Sequence, residues 1–381
     1  MNIVHIGLAS FFTEGMTYQD NQLSHQNARD GHQVLYVSNA AKYVDGVIAA
    51  TGYEDTILPD GVRLVRLPYE RVLTPFVSDK FRKVKGLYRL LEEFAPDVIL
   101  SHDLCYWSVR DVIRYKKDHP EVKLYADSHT DANNSGTNWL SLHVLHRFLY
   151  RRWMKEAIPY LEKYLVLGEE TRQFNRENYG IPDSLMEFYP LGGVLPTPEE
   201  YADRRERRRA ELGVGEDETL FVHSGKLDAL KRTEELLKAF ASVPNPKARL
   251  AIIGSIPKDM EATLLPLMEQ DDRVRYLGWK SAEDLLEYLC ACDVYCQPGS
   301  QSATMQNAVC CGCAIMLYPH KAYLANFDWK NIIWVKTQSD MEQAFHDIAG
   351  GSIDLHTLQV NSNRCAHELL DYRKLAARLY Q

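Results

Sequence analysis

Two lysines lie close together in the stretch HSGKLDALKRTEELL, where an apolar strand pattern gives way to a helical one. Ser224, Gly225 and Lys226 end the strand pattern, and Lys231 comes just before the helix. Lysine ammonium groups in a loop of this kind donate charged hydrogen bonds to phosphate oxygens. The segment therefore indicates a diphosphate clamp, and the alternative is a solvated lysine-rich loop.

A second polar stretch, GSQSATMQNAVCCGCAIM, runs from a loop into a helix start, a double cysteine and an apolar strand. Its side chains Gln301, Thr304, Gln306 and Asn307 can accept from one sugar hydroxyl and donate to another. The N–H groups of residues 302–304, which are Ser302, Ala303 and Thr304, suit a phosphate at the start of a helix. The structural alternative is a small-residue helix packed on CAIM, and both interpretations can hold together.

Two histidines follow neighbouring strand patterns in the first half of the chain. His129 ends KLYADSH, and His102 ends VILSH. A histidine at a strand end can exchange protons with a ligand, although a lone histidine is more often a satisfied structural residue. Near the N-terminus, Gly15 stands between a strand and a helix in ASFFTEGMTYQDNQL, which suits either a phosphate approach or an ordinary turn.

The elements that must position these residues alternate between apolar strands and helical periodicity. The strand patterns NIVHIGL, QVLYVS, VRLVRL, DVILSHD, VKLYADSH and KYLVLG come first, and after FYPLGGVLPTPEE the alternation starts again with TLFVHSGKL. Strand–helix–strand repetition of this kind is typical of parallel sheets covered on both faces. We therefore predict an α/β fold with two Rossmann-like, doubly wound domains that face each other across a cleft, with ligands beyond the carboxyl ends of the strands.

Composition limits the class of protein. The chain has 381 residues, of which 45% are hydrophobic and 25% charged, and its net charge of −8 argues against general nucleic-acid binding. No apolar run approaches the ~20 residues of a membrane-spanning helix, and the N-terminus has no signal-peptide pattern, which predicts a cytoplasmic protein. Most cysteines cluster within apolar patterns at spacings that fit no standard zinc site, so we expect them to be core residues.

Residues 138–165 form a basic, aromatic helical region in which Trp139, Phe148 and Trp153 alternate with arginines and lysines. Such a helix can lie on an anionic membrane surface, at the inner face of the membrane, or it can pack an apolar stripe into the core. The later run RRERRR, residues 204–209, is interpreted as the solvated start of a helix.

The order of these motifs resembles retaining GT-B glycosyltransferases of the family-4 type over nearly the whole chain. The segments that carry the resemblance are EGMTYQDNQLSHQNARDGHQV, SGKLDALK, LAIIGS, VRYLGW, ACDVYCQP and NAVCCGCAI. The resemblance implies a GT-B fold without a metal or other cofactor. It places His129 near the transferred sugar and implies that one set of residues holds the donor. That set comprises Gly15, Ser224, Gly225, Lys226, Lys231, Tyr276, Leu277, Gly278, Gln301, Ser302, Ala303, Thr304 and Asn307.

One departure from the family pattern concerns a pair of glutamates that family members usually carry. Asn307 occupies the position of the glutamate that binds ribose hydroxyls, and Gln301 is the nearest equivalent of the glutamate near the sugar. Amides keep the hydrogen-bonding capacity and lose the charge. A front-face reaction that stabilises an oxocarbenium–diphosphate pair needs no protein nucleophile, so the departure is compatible with catalysis.

The sequence thus predicts a metal-independent, hexosyltransferase-type enzyme that moves a sugar, with UDP-sugar favoured over GDP-sugar, to a glycan, protein-linked or lipid-linked acceptor in bacterial surface polysaccharide or glycoconjugate synthesis. The alternatives are a silent nucleotide-sugar-binding subunit and a GT-B epimerase, and the missing carboxylates disfavour the epimerase. The predicted domains are 1–195 for the acceptor and 196–365 for the donor, followed by a C-terminal helix, 366–381, that crosses back to the N-terminal domain.

Overall fold

The computed structural model describes residues 1–44, 47–132, 134–321 and 329–381. The chain divides into two compact units: unit 1 is Met1–Pro190 with Tyr372–Gln381, and unit 2 is Leu191–Asp371. The first division lies before the boundary expected at residue 195, because Gly193 already belongs to unit 2. Its N–H donates to the carbonyl of Leu370 at 3.0 Å, and it forms a parallel bridge with Asp371.

Unit 1 is built on an eight-stranded sheet with the order β10-β9-β8-β7-β1-β2-β6-β5. The β5–β6 pair is antiparallel, and the other neighbours are parallel. A separate antiparallel pair, β3–β4, was not predicted from the sequence. The strands are β1 Asn2–Gly7, β2 Gln33–Asn39, β3 Ala41–Val44, β4 Val47–Ala50, β5 Glu54–Ile57, β6 Arg63–Leu67, β7 Val98–His102, β8 Lys123–Ser128, β9 Lys163–Val166 and β10 Met186–Phe188.

Helices cover both faces of this sheet, as alternate residues of β1 show. Val4 and Ile6 belong to one buried cluster, whereas Ile3 belongs to another, which also contains Leu375 and Leu379 from the C-terminal segment. The helices are α1 Gln19–Arg29, α2 Pro75–Phe81, α3 Leu87–Phe94, α4 Val109–Asp118, a π-helix Ser141–Tyr150, α5 Arg151–Ala157, a 3₁₀ turn Ile158–Tyr160, α6 Glu169–Phe174, a π-helix Asn175–Tyr179 and the C-terminal helix Tyr372–Ala377.

Unit 2 contains a six-stranded parallel sheet with the order β13-β12-β11-β14-β15-β16. Its strands are β11 Thr219–Lys226, β12 Ala248–Ser255, β13 Val274–Tyr276, β14 Val294–Gln297, β15 Ala314–Leu317 and β16 Ile332–Trp334. Its helices include α7 Pro198–Leu212, a 3₁₀ turn Ala229–Lys231, α8 Thr233–Ser242, α9 Lys258–Glu269, α10 Ala282–Ala291, α11 Thr304–Cys310, α12 Gln338–Ala349, α13 Leu355–Cys365 and a π-helix Ala366–Leu370. The prediction of an α/β fold with two Rossmann-like units is confirmed.

All eight cysteines are free and buried, which confirms the prediction that they are core residues. The nearest thiol pair is Cys290 and Cys311, whose sulfur atoms lie 3.7 Å apart between α10 and α11. Among the described residues, no group of three or more His, Cys, Asp or Glu side chains is arranged to hold a metal ion. The cysteines therefore pack as small apolar side chains.

The interpretation of RRERRR as the solvated start of a helix is wrong. The helix begins earlier, at Pro198, behind a capping box formed by Thr197 and Glu200. Arginines 205, 208 and 209 follow helical i, i+3, i+4 spacing, so they lie on one face of α7. Arg205 and Arg209 bind the Asp293 carboxylate at 2.7 and 2.9 Å, and Arg209 is buried.

The basic aromatic region 138–165 divides into an exposed and a buried part. Trp139 and Phe148 are 70% and 71% exposed, and Leu140 and Val144 are exposed beside them. Trp153, in contrast, is buried in the core of unit 1. Within the described residues, no helix is both long enough and apolar enough to cross a bilayer.

Candidate functional site

The two units begin their sheets with the same four-residue pattern. Val4–Gly7 reads VHIG in β1, and Val222–Gly225 reads VHSG in β11. β1 lies between β2 and β7, and β11 lies between β12 and β14, so both strands hold the central position of a doubly wound sheet. Ligands of such sheets bind beyond the carboxyl ends of the strands, which makes the loops after β1 and β11 the places to examine.

In unit 2, three glycines let the strand ends approach one another closely. A Cβ on Gly254 would overlap the backbone carbonyl of Gly225, and Gly254 has a φ of +142° that L-residues rarely adopt. The N–H of Gly254 donates to the carbonyl of Gly278 at 2.9 Å. The ends of β11, β12 and β13 therefore form one compact backbone surface, with the Tyr276 hydroxyl bonded to the Gly254 carbonyl at 3.0 Å.

Lys231 packs against Gly225 at this surface and is only 7% exposed. Its ammonium donates to the carbonyls of Ser300 and Gln301 at 3.2 and 3.4 Å. A Cβ on Gly225 would lie 3.0 Å from Lys231 Cε, so the absence of a side chain at Gly225 makes room for the lysine. Burial lowers the pKa of Lys231, and Asp228 opposes that shift. Two segments that the sequence predicts to bind one donor are thus in direct contact.

Basic side chains bind the backbone of the polar loop, residues 298–301. The carbonyl of Pro298 accepts from Arg232 at 3.2 Å, and that of Gly299 lies 3.0 Å from His320 Nε2. Together with the two carbonyls bound by Lys231, four consecutive carbonyls of residues 298–301 accept hydrogen bonds from basic groups. This arrangement concentrates positive charge at the strand ends of unit 2, where it can bind an anionic ligand.

Helix α11 contains only the residues Thr304–Cys310, and its two central amides differ in their surroundings. Asn307 Oδ1 accepts from the backbone N–H of Val194 at 2.9 Å. Gln306 is buried, and its Oε1 has no hydrogen-bond partner among the described residues. The oxygen of Asn307 therefore already accepts one bond within unit 2, and Nδ2 is the group of this side chain that can donate to a ribose hydroxyl.

The remaining residues predicted in unit 2 have varied exposure. The Ser224 side chain is buried, and its hydroxyl lies 3.1 Å from the Tyr295 hydroxyl, so only its backbone can meet a ligand without rearrangement. Lys226, Gln301 and Ala303 are exposed, whereas Leu277, Ser302 and Thr304 are partly exposed. Thr304 N–H donates to Ser302 Oγ at 3.4 Å, and Ala303, the N-cap residue of α11, makes no side-chain capping bond.

The buried His223 bonds to the end of β14, just before the polar loop at residues 298–301. Its Nδ1 donates to the Cys296 carbonyl at 2.8 Å, and its Nε2 lies 2.9 Å from the Thr233 hydroxyl. Because a carbonyl can only accept, Nδ1 carries the proton and Nε2 accepts from Thr233. Burial lowers the pKa of His223 to about 4, which keeps the ring neutral. Thr233 begins α8 and is thereby fixed next to Arg232 and Lys231.

In unit 1, the loop after β1 is held by a buried arginine that the sequence analysis missed. Arg66 donates to the Phe12 carbonyl at 2.8 Å and binds the carboxylates of Glu14 and Glu54 at 3.2 and 2.8 Å. The predicted donor residue Gly15 follows with a φ of +79° and open space around its Cα. No cation equivalent to Lys231 has been identified in this loop among the described residues.

The two candidate histidines of unit 1 have opposite environments. His129 is exposed, and its backbone carbonyl accepts from Asn134 at 2.7 Å. His102 is only 6% exposed and has both ring nitrogens in hydrogen bonds. Direct contact with a ligand therefore favours His129 over His102.

The structure shows which functional candidates sequence reasoning missed and why. Arg232 follows Lys231 directly and was passed over as part of the helix, although its positive φ of +58° places it outside α8. His320 comes after β15, and only the fold brings it to Gly299. The repeated VHxG pattern was the one signal in the sequence that could have indicated equivalent strands in the two units.

Comparison with known proteins agrees with this geometry. Residues 204–345 match the family model described as Glycosyl transferases group 1. Anabaena Alr3699/HepE in complex with UDP is similar in structure, with a TM-score of 0.65, 14% identity, and coverage of 99% of this chain and 98% of that chain. Sucrose-phosphate synthase from Thermosynechococcus elongatus gives a TM-score of 0.64 at 16% identity, with 99% and 96% covered.

WaaG, a glycosyltransferase involved in lipopolysaccharide biosynthesis, is similar with a TM-score of 0.59 at 15% identity, and both chains are covered completely. No curated protein matches the chain by sequence. The matched family segment contains the loop at residues 225–231 and the polar loop at residues 298–301 that Lys231 joins. The chain therefore has the GT-B fold of these glycosyltransferases, and its second unit contains the segment that matches the group 1 family model.

Proposed function

We propose that this protein is a glycosyltransferase that takes a sugar from a nucleotide-sugar donor and transfers it to an acceptor with retention at the anomeric carbon. The observation that carries the proposal is the contact of Lys231 with the carbonyls of residues 300 and 301 inside the segment that matches the family. A buried ammonium that bonds to neutral carbonyls gains a stronger bond, between two opposite charges, when a diphosphate arrives.

Unit 2 binds the donor in this proposal. Lys231 and Lys226 bind the diphosphate, and the N–H groups of residues 302–304 contribute donors at the distal phosphate. The compact backbone surface at Gly225, Gly254 and Gly278 supports it, because glycines leave no side chains between the backbone and a phosphate. Lys226 is exposed, so its ammonium can reach a phosphate oxygen without rearrangement of the sheet, and the Thr304 N–H would exchange its bond to Ser302 Oγ for one to the phosphate.

Two amide side chains, Gln301 in the polar loop and Asn307 in α11, contact the rest of the donor in this proposal. Exposed Gln301 contacts the transferred sugar, and Asn307 contacts the ribose through Nδ2, since its oxygen is bonded to Val194. No carboxylate takes part, so the reaction proceeds at the front face, where the leaving diphosphate and the acceptor hydroxyl are on the same side of the sugar. The diphosphate oxygens accept the hydroxyl proton, and basic groups stabilise the developing charge.

In unit 1, His129 is the proposed catalytic residue, with Gly15 at the donor. Exposure of the imidazole supports this assignment, because a group that exchanges protons or hydrogen bonds with a sugar must be reachable. The proposed reaction uses no metal ion, since lysine and backbone donors neutralise the diphosphate in its place.

UDP-sugar is the proposed donor, ahead of GDP-sugar. Two similar structures, of Anabaena Alr3699/HepE, are described as complexes with UDP and with UDP-glucose. The proposed acceptor is a glycan, a protein-linked saccharide or a lipid-linked saccharide in bacterial surface polysaccharide or glycoconjugate synthesis, for which the fold similarity to WaaG offers support.

Peripheral membrane contact through residues 138–165 belongs to the same proposal. The exposed side chains of Trp139, Leu140, Val144 and Phe148 lie along one helical stretch, and Arg152 and Lys155 are exposed in the following turn. Apolar side chains followed by basic ones suit an anionic bilayer surface. Flotation with phosphatidylglycerol vesicles should recover the wild type, whereas the Trp139→Ser, Phe148→Ser variant should stay unbound, and equal recovery would overturn this part.

A silent nucleotide-sugar-binding subunit is the second candidate function. It is favoured by one feature, the amides Gln301 and Asn307 where the family usually has glutamates. Such a subunit would use the same phosphate contacts without turnover and would support a partner transferase. An epimerase is disfavoured because neither amide can abstract a proton from carbon.

The experiment that separates these functions is incubation with a panel of UDP- and GDP-sugars, with nucleoside diphosphate release measured by chromatography. Slow hydrolysis of one donor supports a transferase, and Lys231→Ala should abolish it while Lys238→Ala should not, because Lys238 lies on the outer side of α8 beside Glu234. Thermal stabilisation by a donor without release would identify a binding subunit. Neither effect with any donor would overturn both.

A further inference from the structure

A chain of buried polar side chains crosses the middle of unit 1. His102 Nδ1 lies 2.7 Å from Asp127 Oδ2, and His102 Nε2 lies 3.0 Å from His5 Nδ1. His5 Nε2 lies 2.8 Å from Asn27 Oδ1. All four residues are buried, and their contacts join α1, β1, β7 and β8.

The hydrogen bonds of this chain determine where the protons are. Asp127 Oδ2 accepts from His102 Nδ1, and the amide oxygen of Asn27 accepts from His5 Nε2. One proton must lie between the two facing ring nitrogens. With the Asn27 oxygen facing His5, the His5–His102 pair therefore carries three protons on four nitrogens, which is one more than two neutral imidazoles carry; the reverse amide orientation, with Nδ2 donating to His5, would need only two.

The surroundings assign the extra proton to His102. Burial and the neighbouring His102 lower the pKa of His5 to about 3. Burial also acts to lower the pKa of His102, but the charge and hydrogen bond of Asp127 raise it above its ordinary value. Burial acts to raise the pKa of Asp127, and His102 brings it below its ordinary value. The chain thus contains an imidazolium–carboxylate pair.

Groups from the neighbouring elements β2 and α1 face the rings of His5 and His102. Tyr36 on β2 stacks on both rings, at centroid distances of 6.1 Å from His5 and 5.9 Å from His102, and its hydroxyl donates to Asp20 on α1 at 2.6 Å. Asp20 also favours the charged form of His102, whereas His25 on α1 favours the neutral form of His5. The acidic neighbours therefore outnumber the basic ones around His102.

The pair of His102 and Asp127 lies in the sheet, directly before the proposed catalytic histidine. Asp127 is followed by Ser128 and His129, and the Asp127 carbonyl accepts from the Asp103 N–H next to His102 at 3.1 Å. Ser128 Oγ is held by Asn175 at 3.2 Å. His129 also acts to lower the pKa of Asp127, after the larger effects of burial and His102. The carboxylate that pairs with His102 is thus only two residues from His129 at the end of β8.

We propose that His102 is a positioning residue: as a buried imidazolium between Asp127 and His5 it fixes the end of β8, so that loss of its proton displaces His129. This inference rests on the proposed function in one respect, the action of His129 on the donor sugar. His102 itself touches no substrate.

The first test follows the histidine ring signals of the wild-type protein by NMR with ¹³C- and ¹⁵N-labelled histidine, assigned with single His→Gln variants. Both ring nitrogens of His102 should carry protons at pH 6, and the His129 ring carbon signal should shift with the midpoint at which His102 loses its proton. A neutral His102 ring at pH 6 overturns the proposal, and so does a His129 signal that does not respond.

The second test compares His102→Gln with His119→Gln, a histidine at the surface beside Glu92. His102→Gln should remove the shift of the His129 signal that follows proton loss from His102. It should also lower the turnover number of donor hydrolysis about tenfold with little change in KM. His119→Gln should do neither. The double variant His102→Gln, Asp127→Asn contains no unpaired buried charge and should unfold at a higher temperature than either single variant.

These outcomes separate the positioning role from the proposed function. If the wild type hydrolyses no nucleotide sugar, the proposed function fails, and the NMR signals still decide whether His102 positions His129. If donor hydrolysis is present and His102→Gln leaves both its turnover number and its pH profile unchanged, the pair is structural only and the proposal is wrong.

Discussion

The central histidines of the two units, His5 and His223, occupy the same place in the same VHxG pattern but have different partners. His223 donates to a carbonyl and accepts from a hydroxyl, so a neutral ring satisfies both nitrogens. His5 faces another histidine and an amide oxygen, so its chain needs one extra proton. The unit 2 histidine supports the loop that Lys231 and Arg232 bind, whereas the unit 1 histidine stays neutral beside the buried charged pair of His102 and Asp127.

The contrast shows that equivalent strands of the two units lead into loops that are held by different sets of charged side chains. Loop 298–301 of unit 2 is bound by Lys231, by Arg232, which also pairs with Glu235, and by His320. The loop after β1 in unit 1 is instead fixed by Arg66, whose charge is balanced by Glu14 and Glu54. Diphosphate binding is therefore proposed for unit 2, and sugar contact for unit 1.

The largest expected effect comes from the strand-end glycines. Gly254→Ala should destabilise the protein by ~3–5 kcal/mol, because the new Cβ overlaps the Gly225 carbonyl at a positive φ. Gly15→Ala in unit 1 should cost only ~1 kcal/mol, since its surroundings are open and only the φ is unfavourable. Urea denaturation measures both, and equal losses would show that the close backbone approach in unit 2 has no energetic role.

Removal of the buried cation comes next. Lys231→Ala should weaken UDP binding by ~1.5–3 kcal/mol, the range for a lost hydrogen bond to a charged group. Lys238→Ala is the matched control, because this lysine on the following helix α8 is exposed and pairs with Glu234. Isothermal titration calorimetry gives both affinities. Unchanged UDP affinity in Lys231→Ala would remove the diphosphate assignment.

The third prediction concerns pH. Burial keeps His5 and His223 neutral, with pKa values of about 3 and about 4, and both have higher values in the unfolded chain. Their contribution is complete above the unfolded value of ~6.5 and is lost as the pH falls towards the folded values, at ~2 kcal/mol for each at pH 5. His102 has the opposite sign: its raised pKa stabilises the fold below ~6.5 and ceases to do so as the pH rises through the folded value.

Denaturation of His223→Gln at pH 5 and pH 7 tests this sign. The variant should lose ~2 kcal/mol less stability between pH 7 and pH 5 than the wild type. His102→Gln should instead differ from the wild type in the slope above the unfolded value of ~6.5, since only the wild type then loses a stabilising proton. Parallel pH curves for wild type and both variants would contradict the contrast between the two units.

The smallest effects are expected for the amides Gln301 and Asn307, and the two should differ in which ligand they affect. Asn307→Ala should weaken binding of UDP itself by ~1 kcal/mol, because both the proposed ribose contact and the bond to Val194 are lost. Gln301→Ala should leave UDP binding unchanged and weaken only UDP-sugar. Asn307→Glu should be tolerated if the site matches the ribose contact of the family. Full binding of both ligands by both alanine variants would reduce this loop to a packed helix start.

Local pattern was enough to predict most of the fold. The central strands are continuous apolar runs, and alternation with helices indicates a parallel sheet without any knowledge of contacts. The β3–β4 pair was not predicted, because its residues are largely exposed and show no apolar alternation. Misplacing RRERRR had a similar cause: charge suggested solvent, whereas carboxylates more than seventy residues away in sequence pair with these arginines.

The candidate site could be predicted only in part. Lys231 and the polar loop were identified because both stand beside strand ends, where parallel sheets bind ligands. Their direct contact, the role of Arg232 and the arrival of His320 depend on tertiary structure. The buried chain from His5 to Asp127 was invisible for the same reason, since it joins four elements whose residues show no pattern in common.

The most direct test of the central claim is a crystal structure of the protein with UDP and, in a second crystal, with the UDP-sugar that it hydrolyses fastest. The account predicts a diphosphate oxygen within ~3 Å of Lys231 Nζ, with the sugar beside Gln301. A nucleotide bound elsewhere, with Lys231 still on the carbonyls of Ser300 and Gln301, would contradict it.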